Sequence, residues 1–134
     1  MKFSLIICTY MRPKALITLL NTVAVQTLYP NEILIIDGSL NHETKEAIET
    51  HNYKNLSYYL VCNDNRGLTK QRNYGIKKVS PYSDIICFLD DDTVLEVDYF
   101  EKLIETYTVY PKASSVGGYI TNEVDWKEAQ EGNA

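Results

Sequence analysis

The sequence predicts an α/β domain with a mostly parallel central sheet and helices on both faces. Two observations predict it. Strand-length apolar runs alternate along the chain with segments of helical spacing. The first run, Phe3 to Cys8, is apolar without a break, as expected of a strand covered on both faces. A third observation says where to look for function. The runs end in polar residues: CTYMR (8–12), DGS (37–39), NDNRG (63–67) and DDD (90–92). In a parallel sheet these ends share one edge, which is where such folds bind ligands.

The elements follow in order. Phe3 to Cys8 is the first strand. Pro13 suits a first helical turn, and Leu16, Leu19, Leu20 and Val23 then recur at helical spacing. Glu32 to Ile36 is a second strand, and Asn41 can cap a polar helix from about His42 to His51. Leu56 to Val61 is a third strand, followed by a loop carrying Gly67 and a helix over Thr69 to Val79. Asp84 to Leu89 reads as a fourth, buried strand. A helix over about Val97 to Tyr110 stops at Pro111, and Ala113 to Thr121 suggests a fifth strand. Residues 1–122 make one domain, with 123–134 as a polar tail. Trp126 in that tail serves either as an anchor on this domain or as a docking residue for further chain.

Composition excludes several classes. At 134 residues, with 45% hydrophobic and 23% charged residues, the chain is one ordered globular domain. A net charge of −5 argues against a nucleic-acid partner. No run is long enough to span a bilayer, so no transmembrane segment is expected, and the N-terminus lacks the features of a signal peptide. Cys8, Cys62 and Cys87 form an odd set without a CxxC spacing, each in or at the end of an apolar run. They are expected to be buried free thiols in a reducing compartment. The expected location is the cytoplasm, at most peripheral to the inner face of a membrane.

The acidic triplet carries the chemistry. Two carboxylates about 4 Å apart repel by roughly 1 kcal/mol in water and several-fold more at a partly buried site. A hard cation relieves that repulsion; Mg²⁺ or Mn²⁺ is typically held by one or two carboxylates plus substrate phosphates. Side chains at i and i+2 of a strand share a direction, so Asp90 and Asp92 form a D-x-D clamp while Asp91 points away. A solvated acidic turn is the competing reading. Asp37 either accepts hydrogen bonds from a base or ribose, or caps the DGS turn. Arg12, Arg66, Lys70 and Arg72 flank the strand ends and could bind phosphate.

Four stretches in series carry a resemblance: SLIICTYMRPKALITLLNTVAVQT, EILIIDGS, NDNRGLTKQRNYGI and DIICFLDDDTVLEVDYFEKLI. Together they resemble the family 2 glycosyltransferases of the GT-A fold, a Rossmann-like nucleotide-diphospho-sugar transferase architecture. The resemblance implies that Thr9, Tyr10 and Arg12 line a nucleotide pocket and that Asp37 holds the base. It implies that Asn65, Gly67, Arg72, Asn73 and Gly75 border nucleotide and sugar. Gln71 stands where the pattern often has Ala. Asp90 and Asp91 would belong to the nucleotide site, with Asp92 and Asp90 on a Mn²⁺ or Mg²⁺ cofactor. The implied partners are a nucleoside-diphosphate-sugar donor, UDP-type favoured, and a glycan or lipid acceptor; the resemblance favours inversion over retention of configuration.

About forty residues follow Asp92, and they carry no clear catalytic base; Asp125 is a late candidate. The chain as a whole is therefore expected to be the donor-binding N-terminal part of a larger enzyme. A non-catalytic module binding nucleotide-sugar or a partner is the main alternative. FLDDDTVL also fits a haloacid-dehalogenase-type phosphatase, with Asp90 as nucleophile and Asp92 as acid/base. That motif belongs on a first strand, and here it lies on the fourth. A receiver domain needs an acidic pair after strand one, where this chain has CTY.

Overall fold

The structure is a computed structural model that describes residues 1–118. Among these residues, β1 (Phe3–Thr9), β2 (Glu32–Asp37), β3 (Leu56–Leu60) and β4 (Ile85–Asp90) form one sheet in the order β3-β2-β1-β4. Every neighbouring pair is parallel. The helices are α1 (Pro13–Ala24), α2 (Glu43–Glu49), α3 (Leu68–Lys78) and α4 (Tyr99–Val109). The α/β class and the parallel sheet are as expected.

Register levels the strand ends. Thr9 pairs with Asp37, Cys8 with Asp90, and Asp37 with Leu60. The polar tails of all four strands therefore leave along one edge. Two bonds extend this alignment past the ladder, from Gly38 N–H to Thr9 O (3.0 Å) and from Val61 N–H to Asp37 O (2.8 Å).

The two faces of β1 are covered differently. Ile6 faces α3, where it joins Leu34, Ile36 and Val61 in a core cluster that Tyr59, Tyr74 and Val79 extend. Gly75 makes this approach possible, because a Cβ there would sit 2.9 Å from Ile6 Cγ2 and 3.3 Å from Ile36 Cγ1. Gly75 was expected to border a ligand; it is instead buried where α3 crosses the sheet. Phe3 is on the opposite face, its ring 5.1 Å from that of Phe100. Helix α1 begins with Pro13 at its first turn and buries all four residues of its apolar spacing, Leu16, Leu19, Leu20 and Val23. Each such burial stabilises by about 1.5–3 kcal/mol.

Several expectations need correction. β4 is expected to be buried, but among the described residues it is an edge strand, and Ile86 and Phe88 are partly exposed. Cys62, expected to be buried, is exposed, since it follows the other edge strand; Cys8 is half-buried and Cys87 buried. Asn41 does accept a bond from Glu43 N–H at 3.1 Å, although helix α2 is shorter than expected. Of the proposed fifth strand, residues 113–118 are not in strand conformation, and the rest lies outside the described residues, as do Asp125 and Trp126.

Candidate functional site

The ends of β1 and β4 and the entry to α3 border a cavity of about 610 Å³, lined by Cys8, Thr9, Tyr10 and Arg12 from the end of β1, Arg66, Gly67, Leu68 and Gln71 from the turn into α3 and its first residues, and Asp90, Asp91 and Asp92 from the end of β4. Residues far apart in sequence thus meet at one rim.

The triplet divides into one anchored carboxyl and two open ones. Asp91 is 8% exposed. Its Oδ2 accepts from the Thr9 hydroxyl at 2.9 Å, and its Oδ1 lies 3.4 Å from Arg12 Nη1. Asp90 and Asp92 are open to solvent, with side-chain exposures of 69% and 65%. Each has one long ion pair, Asp90 with Arg72 and Asp92 with Arg12, both at 3.7 Å. The strand geometry used to place Asp91 ends at Asp90, where a turn begins with Thr93 N–H on Asp90 O at 3.1 Å. Asp91 consequently turns into the rim and not through to the far face of the sheet. Beyond the turn, buried Gln26 fixes the chain, donating to Glu96 O at 2.6 Å and accepting from Phe100 N–H at 3.1 Å.

Arg12 is the residue before α1 and makes no side-chain cap there, so its guanidinium reaches the acidic turn instead. Arg66 is tied back by Nε to Gly38 O at 2.6 Å and by Nη1 to Asn63 Oδ1 at 3.0 Å. Gly67 has φ 117, a conformation that favours glycine, and open space where a Cβ would be. Burial pushes the Cys8 thiol up to about 11, with Arg72 opposing and Asp90 and Asp91 adding to the rise. Cys8 is therefore a protonated wall residue at neutral pH.

Asp37 is not on the cavity wall. It is 0% exposed. Its Oδ1 accepts from the N–H and hydroxyl of Ser39, and its Oδ2 from the Tyr58 hydroxyl. Burial, and then the bond to Asp37, push the Tyr58 hydroxyl above its ordinary range, so it stays a donor. Ser39 Oγ accepts from Met11 N–H at 2.9 Å, which holds Met11 at φ 55. Through the bonds to Ser39 the Asp37 carboxyl caps the DGS turn. Asn65, Arg72 and Asn73 also lie outside the wall, with Arg72 stacked 5.7 Å over the Phe88 ring. Gln71, noted in the sequence only as a departure from pattern, and Leu68 are wall residues. That departure was the one available signal for Gln71.

A profile of glycosyl transferase family 2 matches residues 4–133. The chain belongs to glycosyl transferase family 2. Family membership sets aside the phosphatase and receiver alternatives. The chain is 32% identical over 130 residues to glucosyl-dolichyl phosphate glucuronosyltransferase of Haloferax volcanii, covering 94% of this chain and 40% of that one. It is 33% identical over 101 residues to poly-beta-1,6-N-acetyl-D-glucosamine synthase of Staphylococcus aureus, covering 75% of this chain and 24% of that one. It therefore spans less than half the length of these relatives. The fold is shared with S. aureus TarS 1–349 in complex with UDP, at a TM-score of 0.70 and 24% identity over 92% of this chain and 38% of TarS. The GT-A architecture expected from the sequence is thus present. Among the described residues no helix is long and apolar enough to cross a membrane.

Proposed function

We propose that this chain is the donor-binding part of a metal-dependent, inverting glycosyltransferase that moves a sugar from a UDP-type nucleotide-sugar to a glycan or lipid acceptor. The carrying observation is the 610 Å³ cavity on the strand-end edge, where Arg12 and the aspartate triplet face one another. TarS, which shares the fold, has been solved with UDP-GlcNAc, and this supports the choice of donor class.

The acidic turn fits a divalent cation of a particular kind. Among the described residues no group of three or more His, Cys, Asp or Glu side chains forms a ready metal cage. Asp91 is committed to Thr9 and Arg12, which leaves Asp90 and Asp92 with only long, solvent-exposed pairs. Two carboxyls are what Mg²⁺ or Mn²⁺ takes when a diphosphate supplies the other oxygens. A cation bound there supplies charge stabilisation to a departing nucleoside diphosphate.

The chain's own residues do the rest. Arg12 supplies a fixed positive charge at the rim, preorganised by Asp91. Asp37 keeps Ser39 and Met11 in place and so shapes the lip beside Tyr10. A cytoplasmic setting agrees with the free cysteines. A thermal-shift screen of nucleoside diphosphates and their sugars, with and without Mn²⁺, tests the proposal. UDP with Mn²⁺ should raise Tm, since ligand at a hundred times Kd stabilises by about 2.7 kcal/mol. No response to any nucleotide in either condition would refute donor binding.

A further inference from the structure

Gln71 makes three hydrogen bonds that no other wall residue duplicates. Its Nε2 donates to Thr9 O at 3.1 Å and to Ile36 O at 2.9 Å, and its Oε1 accepts from Gly67 N–H at 3.0 Å. Both amide hydrogens are thereby used. The three partners belong to separate segments: the last residue of β1, the penultimate residue of β2, and the turn into α3. Gln71 is 3% exposed, so these bonds lie in a shielded setting where an unmade partner is costly.

Gly38 completes the arrangement. A Cβ at Gly38 would lie 2.8 Å from Gln71 Oε1 and 3.3 Å from its Cδ, closer than unstrained packing permits. The glycine of the DGS turn is thus matched to the carboxamide opposite. Arg66 closes the third side, its Nε on Gly38 O and its Cγ 3.1 Å from the same Cβ position.

We propose that Gln71 is a positioning residue for the cavity. Its carboxamide sets the spacing between the β1 end, the β2 end and the Gly67 turn. Ligand affinity then depends on a side chain whose two donors are spent entirely on the protein. Thr9 is the link to the acidic turn: its carbonyl is held by Gln71 and its hydroxyl by Asp91. A shift at Gln71 therefore reaches Asp91 and Arg12 through one residue. This inference rests on the proposed function for its ligand readout, and has a second readout that does not.

The experiment uses the full chain with Gln71→Ala, and Gln71→Glu as a second variant that keeps the acceptor for Gly67 and loses both donors. Calorimetry with UDP and Mn²⁺ is run at a temperature where circular dichroism shows each variant fully folded. Affinity should fall at least tenfold in both. Unchanged affinity in a folded variant overturns the proposal, because a merely stabilising residue would give that result. The ligand-free readout is a cycle with Gly38→Ala. That substitution should lower Tm in the parent chain and lower it by less than half as much beside Gln71→Ala. Equal losses in the two backgrounds overturn the matched frame. If the parent chain takes no UDP, the donor reading fails, and the cycle alone decides for or against the frame.

Discussion

Thr9 and Asp91, separated by 82 positions in sequence, are joined by a buried 2.9 Å hydrogen bond at the rim of the sheet. It ties the end of the first strand to the acidic turn after the fourth. The triplet that looks like a uniform block of charge is therefore built from unlike parts, one structural and two available.

Asp91→Ala should destabilise the fold by about 1–3 kcal/mol, because it strands the buried Thr9 hydroxyl. Asp92→Ala should cost no more than about 1 kcal/mol, as expected for an exposed ion pair. Urea denaturation of the two variants checks the contrast. Equal losses would show that the bond to Thr9 contributes nothing special.

Tyr58→Phe should destabilise by about 1–3 kcal/mol, since it leaves Asp37 Oδ2 buried without its donor. The effect should be on stability first, with the lip around Met11 loosened second. Chemical denaturation gives the former, and amide exchange at Met11, bonded to Ser39, gives the latter. A neutral substitution would mean that the Asp37 network is not holding this turn.

Gly75→Ala should cost about 1–3 kcal/mol by overpacking α3 against Ile6 and Ile36. Nucleotide affinity should be unchanged in the folded fraction, because Gly75 faces the sheet and not the cavity. Thermal unfolding and calorimetry on the same sample separate the two effects. A stable variant with weakened binding would restore Gly75 to the ligand site.

Alkaline pH should destabilise the protein through its thiols. Burial raises Cys8 to about 11 and Cys87 to about 12, from an ordinary 9.0. The folded state then holds these protons more tightly than the unfolded one. This contribution is intact below pH 9 and is lost as pH rises toward 11–12. Tm measured against pH should fall more steeply for the parent chain than for Cys87→Ala. Parallel curves would remove Cys87 as a source of the effect.

Particular residues show what was legible in the sequence and what was not. Strand and helix positions were readable because Phe3 to Cys8 and the Leu16, Leu19, Leu20, Val23 spacing report burial directly. The shared edge was readable because parallel strands all point their carboxyl ends the same way. Edge status among the described residues was not: an apolar run such as IICFL reads alike in a central and an edge strand, so the exposure of Phe88 and of Cys62 was not foreseen. The inward turn of Asp37 depends on Tyr58, supplied by the neighbouring strand, and no local pattern announces it. Gln71 was visible as a departure, but its role required Thr9, Ile36 and Gly67 to be brought together first.

Asp90 and Asp92, left open by the anchoring of Asp91, are the carboxyls we propose to hold a cation together with a nucleoside diphosphate. The decisive experiment is calorimetric titration of UDP into the parent chain and Asp92→Asn, each with and without Mn²⁺. UDP should bind the parent chain in a Mn²⁺-dependent way that Asp92→Asn abolishes while the unfolding curve stays the same. Equal UDP affinity in all four titrations would contradict it.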